Sequence, residues 1–411
     1  MLTRNCRLCG HTLSHIFIDL GISPLANSYV SQARLHQMEP MYPLRTFVCE
    51  ECFLVQAEDF ESPQHIFSDY AYFSSYSDSW LAHCKRYADM ITERCALTPD
   101  RQVIEIASND GYLLQYFKEK GIPVLGIEPA ANVAERANER GIPTSVEFFG
   151  QEAAASLLEQ GKRADLLIGN NVLAHVPDLN DFVAGMKLLL ADSGVITMEF
   201  PHLMRLIQEI QFDTIYHEHY SYFSLTAVER LFAKHDLIVF DVEQLETHGG
   251  SLRIYAAHRS RMGGAVSSSV IELLSQEETF GMTRIQTYAD FKEKAVKVKR
   301  QLLRFLISLK ESGKSVVGYG APAKGNTLLN YCGIDRDYLD YTVDRSPHKQ
   351  GLFLPGSRIP ICEPDRLKET RPDYVLILPW NLKQEIMAQT EYIREWGGCW
   401  IIPVPEVEVI E

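Results

Sequence analysis

Short apolar runs alternate with longer amphipathic stretches in two separate parts of the chain. In the first, the runs Gln102-Val-Ile-Glu-Ile106, Val124-Leu-Gly-Ile127, Ala164-Asp-Leu-Leu-Ile168 and Gly194-Val-Ile-Thr-Met198 have the length and near-continuous hydrophobicity of strands buried on both faces. Helix-like segments lie between them, and that order predicts a parallel sheet covered by helices. A second alternation starts at Lys314-Ser-Val-Val-Gly318 and continues through Leu339-Asp-Tyr-Thr-Val343, Tyr374-Val-Leu-Ile-Leu378 and Trp400-Ile-Ile402. Between the two, the stretch from Ile271-Glu-Leu-Leu to Val298-Lys-Arg-Gln-Leu-Leu-Arg-Phe-Leu reads as amphipathic helix. Residues 1 to 70 are turn-rich, with one β-like run at Thr46-Phe-Val48. The pattern predicts an α/β protein with a small N-terminal module over 1–70 and a doubly wound domain over 71–260. A helical connector over 261–310 and a second α/β domain over 311–411 follow.

Composition narrows the partners. The chain has 411 residues, 46% of them hydrophobic, which is enough for several cores, and a net charge of -14. That charge argues against nucleic acid and anionic membranes and points to a small-molecule partner. The N-terminus shows no apolar signal region, and no run approaches the roughly 18 apolar residues that span a bilayer. A cytoplasmic protein, monomeric or weakly oligomeric, is expected.

Cys6-x-x-Cys9 and Cys49-x-x-Cys52 are separated by 39 residues, 10 to 48. Each pair turns two sulfurs toward one point, and four thiolates close a tetrahedral zinc site that leaves no position for water. Cys6, Cys9, Cys49 and Cys52 are therefore expected to hold a structural zinc. An odd total of nine with four in two short pairs suits a reducing compartment, and the other five are scattered and read as structural.

The first strand-to-helix turn of the central domain reads Glu105-Ile-Ala-Ser108-Asn109-Asp110-Gly111-Tyr-Leu113, with Asn109 and Asp110 placed to cap the helix. The next strand ends in Gly126-Ile-Glu128-Pro129, an acidic residue about 20 positions on and suited to both ribose hydroxyls of an adenosine. The loop lacks G-x-G-x-x-G, so a pyrophosphate cradle is not evident and an adenosine without phosphates fits better. Together these residues resemble the class I S-adenosylmethionine-dependent methyltransferases, and the resemblance implies their doubly wound sheet. It places Glu105, Ser108, Asn109, Asp110, Gly111 and Leu113 by the methionine part and Glu128 and Pro129 by the ribose. Phe149 then lies near the adenine, and Asn170 and Asn171 beside the methyl donor. Ala107 stands where that family often has glycine.

Tyr216-His217-Glu218-His219-Tyr220-Ser221-Tyr222-Phe223 is too aromatic for a solvated surface and too ionisable for simple packing. His175 stands just past a predicted strand, on the edge where ligands of open α/β sheets bind. Methyl transfer to carbon needs a base beside a carbonyl and donors for the enolate oxygen. Histidine suits the base at neutral pH, glutamate can hold its tautomer or shuttle the proton, and a tyrosine hydroxyl can donate to the oxyanion. His217 and His219 share a face if the segment is extended, which also admits a metal, although no third ligand is evident at suitable spacing.

The cysteine pairs, Asp69-Tyr-Ala-Tyr72-Phe-Ser-Ser-Tyr76, Tyr216 to Phe223, His248-Gly-Gly-Ser-Leu-Arg253 and Gly318-Tyr-Gly-Ala-Pro-Ala-Lys324-Gly-Asn326-Thr are together similar to the sugar C-methyltransferases of deoxysugar biosynthesis. That resemblance covers nearly the whole chain. It implies methylation of a nucleotide-linked 4-keto-6-deoxyhexose at the neighbouring carbon, sugar position 3, with S-adenosyl-L-methionine as donor, and a zinc-binding N-terminal domain, a central methyltransferase domain and a C-terminal Rossmann-like domain. His219 is then the base, with Tyr216, Glu218 and His175 lining the reaction centre. Tyr72, Tyr76, His248, Lys324 and Asn326 become substrate contacts; Tyr70, Tyr72 and Tyr76 share one face if their run is extended.

The C-terminal glycine loop follows a β-like run and opens a helix, so its amides and Lys324 can meet a phosphate of the nucleotide sugar. Alternatively, its glycines merely let the helix pack on the strand. Asp344, after the next strand, is placed for a ribose, so an NAD-dependent oxidoreductase using this domain is the rival function. It would leave the first α/β domain without a purpose.

Overall fold

The computed structural model describes residues 4–62, 75, 78–263 and 265–411; Tyr70, Tyr72 and Tyr76 lie outside the described residues. In chain order the strands are β1 (His15–Ser23), β2 (Tyr42–Val48), β3 (Val55–Ala57), β4 (Val103–Ile106), β5 (Val124–Ile127) and β6 (Thr144–Ser145). They continue with β7 (Ala164–Asn170), β8 (Leu190–Pro201), β9 (Ser221–Tyr222), β10 (Leu237–Leu245) and β11 (Ser251–His258). The last six are β12 (Val316–Tyr319), β13 (Thr342–Val343), β14 (Ile361–Cys362), β15 (Tyr374–Ile377), β16 (Cys399–Ile402) and β17 (Glu408–Ile410). Two compact units emerge, one of Met1–Ser14, Cys49–Leu203 and Tyr220–Arg284, the other of His15–Val48, Met204–His219 and Ile285–Glu411.

The first unit is organised by a seven-stranded sheet in the order β10-β11-β8-β7-β4-β5-β6. Its β4, β5, β6, β7 and β8 run parallel, and β11 is antiparallel to both β8 and β10. All four residues of β4, Val-Ile-Glu-Ile, are buried, as a strand covered by helices on both faces requires. The winding reverses between β4 and β7, which opens a crevice beyond the carboxyl ends of these strands. The doubly wound sheet expected from the sequence is present.

Caps fix several helices of this unit. Asp178 accepts from Asp181 N at the start of helix Leu179–Leu189, and Ser224 does the same from Ala227 N for helix Leu225–Lys234. The cap expected from Asn109 and Asp110 does not form. Ala107, Asn109 and Gly111 all have positive φ, and the helix begins only at Leu114. Asp110 instead pairs with Arg140 at 3.0 Å and accepts from the Ser75 hydroxyl.

The second unit carries a six-stranded sheet, β14-β13-β12-β15-β16-β17, parallel except for β17. Its order reverses at β12, so the glycine loop after β12 lies at a second switch point. The antiparallel pair β1–β2 belongs to the same unit. Phe17 of β1 stacks on Phe291 at 4.6 Å and meets Tyr288 edge-on at 5.9 Å, which seats the hairpin on helix Phe291–Glu311. The single helical stretch expected from 271 to 306 is broken into Ser268–Phe280, Ile285–Ala289 and Phe291–Glu311, the first ended by Gly281 at φ 101. Among the described residues no helix is long and apolar enough to cross a membrane.

Candidate active site

The four cysteines of the two knuckles bring their sulfurs within 4.8 Å of one another, with Cys6 and Cys52 at 3.4 Å and Cys9 and Cys49 at 3.5 Å. Sulfurs bound at zinc distance on a tetrahedron stand about 3.8 Å apart, so the cluster has the size of a zinc site. The knuckles are built alike: Gly10 N donates to Cys6 O and Phe53 N to Cys49 O, both at 2.9 Å, and Gly10 and Phe53 both have positive φ. Gln56 supports the site by donating to Cys6 Sγ at 3.3 Å. The hydrogen bond from Cys52 holds Cys6 low, while that bond and then burial push the Cys52 thiol far up. Four sulfurs this close become thiolates together only around a cation, which a structural zinc supplies. Among the described residues no second cluster of this kind occurs, and His217 and His219 form none.

The crevice beyond the carboxyl ends of β4 and β7 is lined by buried polar atoms with no hydrogen-bond partner among the described residues. They include Ser108 Oγ, Asp110 Oδ1, the Asn170 amide and Asn171 Oδ1. Burial pushes Glu105 well above the usual carboxylate range, with Tyr112 opposing. Glu128 ends β5 and ties the loop to that strand, accepting Asn109 N and Ala130 N, each at 2.9 Å. Gly126 is required there, because a Cβ at that position would lie 2.3 Å from Ser108 Oγ. Gly111, with φ 76, and the buried Leu113 complete the turn. Pro129 follows Glu128, and Phe149 packs edge-on against Phe182 at 5.4 Å. Asn170 ends β7, Asn171 follows in the left-handed region, and His175 closes the short helix Leu173–His175. Unmet polar groups at the switch point fit a cofactor with amino, carboxylate and ribose groups to bind.

In the second unit, the tetrapeptide from Tyr216 to His219 is folded back on itself, with His219 N donating to Tyr216 O at 2.9 Å. His219 Nδ1 lies 3.0 Å from the Thr214 carbonyl oxygen, which can only accept, so Nδ1 carries the proton. Nε2 is then the basic nitrogen, and it receives the Tyr216 hydroxyl at 2.8 Å, with the two rings 4.0 Å apart. Both side chains are partly exposed. Glu218 is buried, both its oxygens accept from Asn27 Nδ2 at 2.8 Å, and burial pushes its carboxyl up to about 7. His217 is used differently: its Nε2 donates to Pro43 O at 3.1 Å, its ring meets Tyr42 edge-on, and burial lowers its pKa.

The chain matches family models described as "Putative zinc binding domain" over residues 6–67, "Methyltransferase domain" over 80–242 and "C-methyltransferase C-terminal domain" over 246–405. It is 36% identical to the C-methyltransferase NovU of Streptomyces niveus over 98% of this chain and 96% of that protein. The chain belongs to the C-methyltransferase family. It is an S-adenosylmethionine-dependent enzyme with a zinc-binding domain. Low-scoring resemblances to solved structures include an S-adenosylmethionine-dependent methyltransferase of Clostridium acetobutylicum, 12% identical with TM-score 0.34 over 42% of this chain and 91% of that one. Another is the magnesium protoporphyrin IX methyltransferase of Synechocystis, 13% identical with TM-score 0.33 over 47% and 88%.

In this C-methyltransferase the C-terminal glycine loop is closely packed. A Cβ at Gly320 would lie 2.5 Å from Pro379 Cδ, and one at Gly325 would lie 2.9 Å from Leu378 Cβ. Asp344 closes the loop, accepting Ala321 N at 2.7 Å and Ser346 N at 2.8 Å. Lys324 Nζ donates to Asn381 Oδ1 at 2.8 Å and lies 4.6 Å over the Trp380 ring; Asn326 Nδ2 donates to Ala26 O at 2.7 Å.

Residues outside the motifs hold both sites. Asn27, Thr214, Asp213 and Trp380 surround the tetrapeptide, and no local pattern marks them. In the first unit, Glu199 at the end of β8 is fully buried between His83, Arg253 and Thr247, each at 3.0 Å. Burial alone would raise its pKa, but the His83 hydrogen bond and the Arg253 charge hold it below the usual value. A glutamate inside an apolar strand requires such partners, and that was the available signal. Trp80 stacks on His83 at 5.0 Å and meets His248 edge-on at 5.4 Å, where the chain turns through three successive positive-φ residues, His248, Gly249 and Gly250.

Proposed function

We propose that this C-methyltransferase methylates a nucleotide-linked 4-keto-6-deoxyhexose at carbon 3, with His219 as the base. The observation that carries the reading is the fixed tautomer of His219: Nδ1–H is held by the Thr214 carbonyl, so Nε2 is the nitrogen that takes a proton. S-adenosylmethionine, when bound, supplies a methyl group on a positively charged sulfur. His219 Nε2 removes the carbon-3 proton, made acidic by the neighbouring ketone; the electron pair left behind bonds to the methyl carbon as the methyl–sulfur bond breaks, its pair stays on sulfur, and S-adenosylhomocysteine leaves. The Tyr216 hydroxyl, beside Nε2, is placed to donate to the enolate oxygen. Glu218, with a carboxyl near 7, exchanges a proton at neutral pH and resets the pair. Glu128 holds the cofactor ribose, and Glu105 with the unmet polar groups of Ser108, Asp110, Asn170 and Asn171 receives its methionine end. His219→Asn is expected to lower turnover of a 4-keto-6-deoxyhexose at least about 100-fold. Turnover within about threefold of wild type would remove His219 from the role.

A further inference from the structure

The turn Phe212–Thr214 carries no motif and gives the chemistry above only the Thr214 carbonyl, yet partners within the second unit fix each of its residues. Phe212 packs edge-on against Tyr331 at 5.2 Å. Asp213 is completely buried, and its Oδ2 accepts Trp380 Nε1 at 2.6 Å. The Lys324 ammonium rests on the same Trp380 ring, and its charge opposes the burial that raises Asp213 to about 6. Thr214 Oγ1 donates to Gln211 O at 2.7 Å, and the next carbonyl, Ile215 O, accepts Thr327 Oγ1 at 3.1 Å. Thr327 and Tyr331 stand four residues apart on helix Ala323–Cys332 and so share one of its faces.

These contacts bracket a single functional group, the Thr214 carbonyl that receives His219 Nδ1–H. A buried carboxylate is costly to keep, and an apolar side chain replaces it without loss where only packing is required. Asp213 at this position therefore points to orientation.

We propose that Asp213, Trp380 and Thr327 are positioning residues: they hold the Thr214 carbonyl in place and so keep His219 in the tautomer whose Nε2 accepts the proton. The inference rests on His219 being the base. The helix that follows the glycine loop then acts as a brace for the reactive tetrapeptide. When the turn is loosened, Nδ1 has no fixed acceptor and its proton is shared between the two ring nitrogens.

The test uses the full-length, zinc-loaded protein with nitrogen-15 histidine, the His219 ring signals being assigned by their loss in His219→Asn. Ring nitrogen shifts report the tautomer without substrate. Wild type is expected to hold its proton on Nδ1. Thr327→Val keeps shape and Trp380→Phe keeps an aromatic ring, and both remove the donor; each is expected to give a mixture of tautomers. With dTDP-4-keto-6-deoxyglucose as probe, kcat should fall about 10- to 100-fold while KM stays within about twofold. Asp213→Asn, whose side-chain oxygen still accepts from Trp380, should keep the tautomer and most of kcat. A wild-type proton on Nε2 overturns the proposal, as does an unchanged tautomer and kcat in the two donor variants. If Trp380→Phe does not fold, Thr327→Val decides alone. Full turnover by His219→Asn would sink the assignment of the base, whereas the tautomer readout would still judge the brace.

Discussion

Two histidines of one tetrapeptide are held in opposite ways. His217 is spent on the Pro43 carbonyl and the Tyr42 ring, while His219 keeps Nε2 beside a partly exposed tyrosine hydroxyl. Between them, Glu218 is the group whose titration can be read in the fold. Its folded carboxyl is raised from 4.5 to about 7 by burial, with the Asn27 amide and the Lys349 charge opposing. Across that window the folded state binds a proton that the unfolded chain has released, so stability falls as pH rises and the loss is complete above about 7. The shift corresponds to about 3 kcal/mol. Glu218→Gln, which does not titrate, is expected to show a shallower loss of urea stability between about pH 5 and about pH 8. A decline as steep as that of wild type would contradict this account of Glu218. The ionisable residues of the tetrapeptide were conspicuous in the sequence, because aromatic and ionisable side chains rarely crowd into one segment. Their partners were not: Asn27 is 191 positions from Glu218, and Trp380 is 167 from Asp213. Local periodicity carries no information at such separations.

At the scale of elements, β4, β5, β7, β8, β12, β13, β15 and β16 followed from their apolar runs, whereas β1, β10 and β11 did not, and the loop after β4 followed from its strand. The start of the following helix did not, because the turn before it uses positive φ at Ala107, Asn109 and Gly111 and postpones the helix to Leu114. Ala107 therefore strains the backbone at a position where glycine would not, a cost of about 1 kcal/mol. The loop also depends on the strand beneath it: β5 passes so close that a methyl group on Gly126 would lie 2.3 Å from Ser108 Oγ and 2.8 Å from Thr144 Oγ1. Gly126→Ala is expected to displace the loop and weaken S-adenosylmethionine binding at least about 10-fold, measured by calorimetry. An unchanged affinity would show that the loop does not set the cofactor site.

Across the whole molecule, contiguous motifs are shared out between compact units. Tyr216 to His219 belong to one unit and Tyr220 to Phe223 to the other, where Tyr220 N donates to Ala174 O at 2.7 Å and β9 pairs with β3. The cysteine knuckles lie in the first unit, while the β1–β2 hairpin between them in sequence lies in the second. A division of this kind escapes any reading that moves along the chain in windows. The central claim is tested most directly by following a carbon-13 methyl group from S-adenosylmethionine into a panel of nucleotide-linked 4-keto-6-deoxyhexoses. The account predicts a labelled methyl bonded to sugar carbon 3, formed one for one with S-adenosylhomocysteine. Label on oxygen or nitrogen, or none on any of these sugars while S-adenosylmethionine binds, would contradict it.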